Sequence, residues 1–193
     1  MGTFGTRAIE ELRRAGIAHV VHEYEPPERH GRERDDRPAY GLDAAAAMGI
    51  DPGRICKTLV ARVEGGTDAG RRPGADATLV LAVVPADRDL DLKRLADAVG
   101  GRRATLVEAV EAERATGYVI GGISPIGGRR RLPVLLDAAA STQPRIHVSA
   151  GRRGLQVELA TADFIRVTGA RVAPIARESG PTPGAAAVRV PSG

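Results

Sequence analysis

The chain has 193 residues, 42% hydrophobic and 27% charged, with a formal net charge of +4. That composition fits one soluble globular domain with a full-sized core, and no apolar run approaches the roughly 20 residues that cross a bilayer. One cysteine excludes an internal disulfide, and no apolar segment follows the N-terminus, so the sequence predicts no signal peptide, no membrane association and a cytoplasmic location.

Residues 6–16, TRAIEELRRAG, predict a helix with Ile9 and Leu12 on one face and Gly16 at its C-terminal cap. Residues 18–24, AHVVHEY, are β-rich. Residues 25–41 combine proline, dense mixed charge and no apolar period, which predicts a long mobile loop. LDAAAAMG predicts a short helix ending at Gly49. Alternation over 54–63 predicts a strand, with Lys57, Leu59, Ala61 and Val63 on one face and Cys56, Thr58 and Val60 on the other. A flexible hairpin connection leads to TLVLAVVPAD, whose near-continuous apolar run predicts a buried central strand.

DLDLKRLADAVGG then predicts a helix with an Asp cap, RRATLVE a strand and VEAVEAERATG a helix. After a glycine-rich loop come strand 133–137, strand RIHVSAG, a tight GRRG turn and strand LQVELA. TADFIRVTG predicts a final helix capped by Thr161, and residues 178–193 predict a disordered tail by composition. The layout implies a single α+β domain over residues 1–177, with a mixed, largely antiparallel sheet and flanking helices.

The loop GGISPIGGRR, 121–130, lacks the Lys and Ser/Thr of a phosphate-binding P-loop and the dinucleotide fingerprint. Its glycines either make a tight turn or let a ligand approach backbone N–H groups that can hold an oxyanion. Lys57 lies among apolar strand residues, where an ammonium needs an acceptor, a cleft or a route to water. It is one of only two lysines, with Lys93, so it is less readily dismissed as filler than the many arginines. Tyr24 and Tyr40 flank the charged loop and Tyr118 opens the glycine segment. Such tyrosines stack on a base, donate to a phosphate or cover a core edge.

His19 and His22, three apart in a strand, point to opposite faces and cannot share a metal without another element, so the sequence predicts no metal site and no cofactor. Cys56 points away from Lys57, which predicts an inert buried thiol. Ser124 lacks a nucleophile elbow, and no triad can be assigned. The arginine runs are either phosphate contacts or solvated surface.

Taken together, ICKTLV, GYVIGGISPIGGRRRLP and VSAGRRGLQVEL, in this order, resemble the YbaK/EbsC family of free-standing aminoacyl-tRNA deacylases, relatives of the editing domain of bacterial prolyl-tRNA synthetases. HEYE, DLDLKRLADAVG and TADFI extend the likeness from about Thr6 to Arg177. The branch most resembled removes cysteine from Cys-tRNA(Pro), a task set by a synthetase pocket that cannot strongly reject an amino acid so close in size to proline.

The resemblance implies Lys57, Gly121 and Gly122 as catalytic residues, with the glycine N–H groups holding the ester. It implies Tyr24, Ser124, Gly127, Ser149, Gly151 and Gln156 as substrate-binding. It also implies mischarged tRNA as partner, prolyl-tRNA synthetase as a further one, and release of cysteine by attack of its own thiol on its ester. Gln156 departs from the acidic residue of that branch and cannot act as a carboxylate; Glu158 shares its strand parity. Deacylation of another small aminoacyl-tRNA, such as Ala-tRNA(Pro), and a tRNA-binding module without catalysis remain alternatives.

Overall fold

The computed structural model describes residues 5–26, 40–65 and 77–179. Most of the expected mobile loop, most of the hairpin connection and the tail from residue 180 lie outside the described residues.

Helix α1 (Arg7–Arg14) buries Ala8, Ile9 and Leu12, and Thr6 caps it by accepting from the Ile9 N–H. Strand β1 (His19–Glu23) and helix α2 (Tyr40–Met48) follow. A single 3-10 turn leads into β2 (Ile55–Glu64), β3 (Ala77–Pro85) and β4 (Arg88–Leu90). Helix α3 (Leu92–Ala98) starts at Asp91, whose carboxylate accepts from the Lys93 and Arg94 N–H groups as the expected cap. Then come β5 (Arg103–Leu106), α4 (Ala109–Thr116), β6 (Val134–Asp137), α5 (Ala138–Ser141), β7 (Arg145–Ser149), β8 (Leu155–Ala160), α6 (Thr161–Thr168), β9 (Arg171–Ala173) and β10 (Ala176–Glu178).

The main sheet runs β1-β8-β7-β2-β3-β6-β9, with β5 also on β2. The pairs β1/β8, β8/β7, β2/β3 and β2/β5 are antiparallel, and β7/β2, β3/β6 and β6/β9 are parallel. This is the expected mixed α+β architecture. No described helix is long and apolar enough to cross a membrane.

Helices cover both sheet faces. On one face Cys56, Val60, Val148, Val157 and Leu159 pack against α1, α4, α5 and α6, with Phe164 fully buried. Burying a side chain of that size contributes roughly 1.5–3 kcal/mol. On the other face Ala61, Val63, Val80 and Ala82 meet Leu95 and Ala96 of α3, and Ile55 meets Ala44 and Ala45 of α2. The strand parity expected for β2 holds.

Two expectations need correction. Ala160, not Thr161, is the N-cap of α6; Thr161 is the first helical residue and its hydroxyl donates to the Gln143 carbonyl at 2.5 Å. The expected tail begins too early, because Glu178 belongs to β10, which pairs with β4 in a small second sheet. Asp137 ties that sheet to the main one. Its buried carboxylate caps α5 through the Ala139 N–H at 2.9 Å and accepts from the Ile175 and Ala176 N–H groups at 3.0 and 2.7 Å.

Candidate active site

Strand alternation places one set of polar residues on the face that carries α2. From β8 this set takes Gln156 and Glu158, from β7 His147 and Ser149, and from β1 His22, with Tyr24 just past the strand end. The register puts His22 opposite Gln156 and Gln156 opposite Ser149. Ile55 pairs with His147 in the parallel β2/β7 ladder. Continuing that register by two residues sets Lys57 level with Ser149.

Lys57 is half-buried. Its Nζ donates to the Ala86 carbonyl at 3.4 Å and lies 4.0 Å from Asp89 Oδ1. Burial pulls its pKa below the ordinary lysine value, while Asp89 and Asp87 work in the opposite direction. The first turn of α2 lies against it: a Cβ on Gly41 would sit 3.8 Å from Lys57 Cβ.

Tyr24 is held beside Gln156. Burial raises the phenol pKa, and a hydrogen bond from the Gln156 side chain lowers it by less. The net shift is upward, so Tyr24 keeps its proton and can donate. Gln156 is 3% exposed, and its Oε1 is a buried acceptor without a partner among the described residues. The glutamine thus brings a free carbonyl oxygen to the site where the resemblance implies a carboxylate. Glu158 does not replace that carboxylate, since it is engaged by Arg145 at 2.8 Å and His22 at 3.3 Å.

The glycine loop is rigidly tied. The Tyr118 hydroxyl donates to the Ile126 and Gly127 carbonyls at 2.8 and 2.9 Å, Glu113 accepts from the Ile120 N–H at 2.8 Å, and Arg153 Nε donates to the Ile120 carbonyl at 2.7 Å. Gly121 has φ +84°, and a Cβ there would lie 3.0 Å from the Tyr40 ring. Among the described residues its N–H has no acceptor.

The other predicted loop residues stand differently. The Gly122 N–H already donates to the Val119 carbonyl at 2.9 Å, so it is not a free donor. A Cβ on Gly122 would lie 2.6 Å from the Arg152 carbonyl carbon, which makes this glycine a packing requirement. Ser124 is fully buried, and its Oγ accepts from the Ile126 N–H at 3.2 Å, so it shapes the loop instead of reaching a ligand. Gly127 abuts the Arg7 carbonyl of α1, and Gly151 abuts the Tyr118 ring. The direct ligand contact expected of Ser124, and the donor role expected of Gly122, do not follow from this geometry.

Sequence reasoning singled out Tyr40 as flanking the charged loop but did not assign it to this site. Its ring lies against Gly121, and the Arg153 guanidinium is 5.5 Å from the ring centroid. It also missed His147, although the alternation of RIHVS puts that histidine on the same face as Ser149.

No activated side-chain nucleophile emerges among the described residues. Cys56 is 1% exposed on the opposite face, and burial, reinforced by Asp137 and Asp87, pushes its thiol up to about 12. The site offers donors from Lys57, Tyr24 and the Gly121 backbone and an acceptor from Gln156. It can hold and polarise an ester more readily than attack one. The exposed Arg129, Arg130, Arg131 and Arg153 supply positive charge around the loop.

A family model described as the aminoacyl-tRNA editing domain matches residues 39–167. The candidate Cys-tRNA(Pro)/Cys-tRNA(Cys) deacylase EbsC of Enterococcus faecalis is 39% identical over 131 residues, covering 68% of this chain and 73% of that protein. The multifunctional Ser/Thr-tRNA deacylase ProXp-y of Escherichia coli K12 is 34% identical over 116 residues, covering 60% of this chain and 65% of that protein. The crystal structure of a candidate trans-editing enzyme for prolyl-tRNA synthetase aligns with a TM-score of 0.66 at 26% identity, over 90% of this chain and 96% of the other. The hypothetical protein APE2540 aligns with a TM-score of 0.72 at 20% identity, a likeness of fold alone.

Proposed function

The chain belongs to the aminoacyl-tRNA editing domain family, and we propose that it is a trans-acting deacylase that clears mischarged tRNA, with Cys-tRNA(Pro) as its substrate. The observation that carries this reading is the grouping of Lys57, Tyr24 and Gln156 on one side of the sheet, with Gly121 against Tyr40 at the start of α2 and no activated side-chain nucleophile among the described residues.

Lys57 binds the terminal adenosine or its phosphate by charge-assisted hydrogen bonding. Tyr24 and Gln156 line the aminoacyl subsite. The Gly121 N–H donates to the ester carbonyl oxygen as negative charge builds there. The substrate thiol, after losing its proton, forms the new bond from sulfur to the carbonyl carbon. The carbon–oxygen ester bond breaks, and the terminal ribose hydroxyl leaves and takes up a proton. Cysteine departs as a thiolactone that water later opens. The exposed arginines near the loop hold phosphates, so affinity for the tRNA body falls steeply with salt. Prolyl-tRNA synthetase is the implied partner, as the source of the mischarged tRNA, and the site of action is the cytoplasm.

The orphaned Gln156 Oε1 supports a second reading. A neutral buried acceptor matches a substrate hydroxyl, as on serine or threonine, and a site built for such a donor rejects analogues that lack it. Purified protein incubated with a panel of mischarged tRNAs tests both. Rapid release from Cys-tRNA(Pro) supports the first reading, and preference for Ser- or Thr-tRNA supports the second. Failure to deacylate any member of the panel overturns the assignment as an enzyme.

A further inference from the structure

His22, His147 and Glu158 belong to three neighbouring strands, and one donor atom of each lies within 4.8 Å of the others. His22 Nε2 is 3.3 Å from Glu158 Oε2. That is close to the separation of two ligands on one tetrahedral ion with bonds of about 2.0–2.1 Å. The two imidazole rings are tilted by 55° with centroids 5.2 Å apart, so they are not stacked flat. His147 is 2% exposed, and its Nδ1 is a buried nitrogen without a hydrogen-bond partner among the described residues. A nitrogen so placed calls for a partner that the cluster itself does not supply.

The geometry points to a binding site for a divalent transition metal of the zinc class, held by His22, His147 and Glu158 on the sheet face that also carries Gln156. Two imidazoles and a carboxylate are a donor set that suits this class of ion and leaves a position for water. The His22 side chain is 29% exposed, which gives the fourth ligand a route in and gives the ring room to close the remaining distance.

Two cations face the cluster and set its strength. Arg145 Nε at 2.8 Å and an Arg54 nitrogen at 3.5 Å both hold Glu158 Oε1, leaving Oε2 toward His22. They orient the carboxylate as outer partners of a metal ligand do. They also repel a dication, so the affinity is weaker than that of a structural zinc site.

Chelator-treated protein titrated with Zn2+ by calorimetry, and with Co2+ by visible absorption, tests the site without any deacylation assay. A failure here therefore leaves the functional reading untouched. One equivalent of metal and the intense visible bands of tetrahedral Co2+ are expected. His22→Ala, a partly exposed change on an edge strand, should weaken binding by about tenfold or more. His147→Gln, checked for folding by circular dichroism, should do the same. His19→Ala is the control, since His19 Nδ1 bonds the Ile17 carbonyl at 2.7 Å away from the cluster, and binding should not change. No saturable one-to-one uptake by the wild type, or wild-type affinity in either His22→Ala or folded His147→Gln, overturns the proposal.

Discussion

Cys56 and Lys57 are chain neighbours that face opposite sides of the central sheet. Cys56 lies in the core beneath α1 and α6, whereas the Lys57 ammonium reaches the Ala86 carbonyl on the side of α2. Truncating each should therefore separate chemistry from packing. Lys57→Ala should lower deacylation roughly 10- to 100-fold in kcat/KM, the range of one lost charge-assisted contact. Its thermal midpoint should barely move, because Asp89, the nearest carboxylate at 4.0 Å, has a 44% exposed side chain. Wild-type turnover in this variant would remove Lys57 from the site.

Cys56→Ala should keep activity and change the response to alkali. The thiol is pushed up from 9.0 to about 12 in the folded protein, chiefly by burial. Above about pH 9 the unfolded chain loses this proton while the folded one retains it. The unfolded state then binds fewer protons, and stability falls as pH rises from about 9 toward 12. By pH 10 this contribution amounts to about 1.4 kcal/mol. Denaturant titrations at pH 7 and pH 10 should show a smaller alkaline loss in Cys56→Ala than in the wild type. An identical loss in the two proteins would refute a buried, protonated thiol.

Asp137→Ala should be the most destabilising of these changes. It strips the acceptor of the Ala139 and Ala176 N–H groups and one of the two acceptors of the Ile175 N–H, which also donates to the Ala173 carbonyl at 2.9 Å. Leaving buried donors unpaired costs about 1–3 kcal/mol each when they find no water. A total of about 2–4 kcal/mol is expected, with hydrogen exchange near Ile175 and Ala176 accelerated first. A loss below about 1 kcal/mol would show that water replaces the carboxylate.

What was legible in the chain depended on range. Parity on β2 and the Asp91 cap follow from residues a few positions apart, and both can be read directly. The pairing of β4 with β10 cannot, because strands of three residues carry no alternation to detect and are joined by contacts with Asp137, far away in sequence. His22 and His147 meet only because β8 lies between their strands. Histidine spacing within β1 put His19 and His22 on opposite faces, but it carried no information about other strands. The glycine loop was recognisable as a motif. Which N–H remained free was not, since the Val119 carbonyl takes the Gly122 donor through a local turn that GYVIGG does not uniquely specify.

Gly121 and Gly122 should therefore respond differently to a single methyl. Gly122→Ala would place its Cβ 2.6–2.9 Å from the Arg152–Arg153 backbone, which cannot rotate aside, so this variant should lose stability and activity together. Gly121→Ala meets the edge of the Tyr40 ring at 3.0–3.1 Å, and its φ of +84° is one that L residues seldom adopt. The strain, of about 1–3 kcal/mol, should turn the 121 peptide and misalign its N–H. Loss of an aimed oxyanion donor lowers the rate roughly 100- to 1,000-fold. Binding of the tRNA body rests on phosphate contacts elsewhere and should keep its salt dependence. Single-turnover release of cysteine from Cys-tRNA(Pro), filter binding across a salt series and thermal melting, run on both variants, distinguish the two glycines. Undiminished release by a folded Gly121→Ala protein would reduce the loop to a turn.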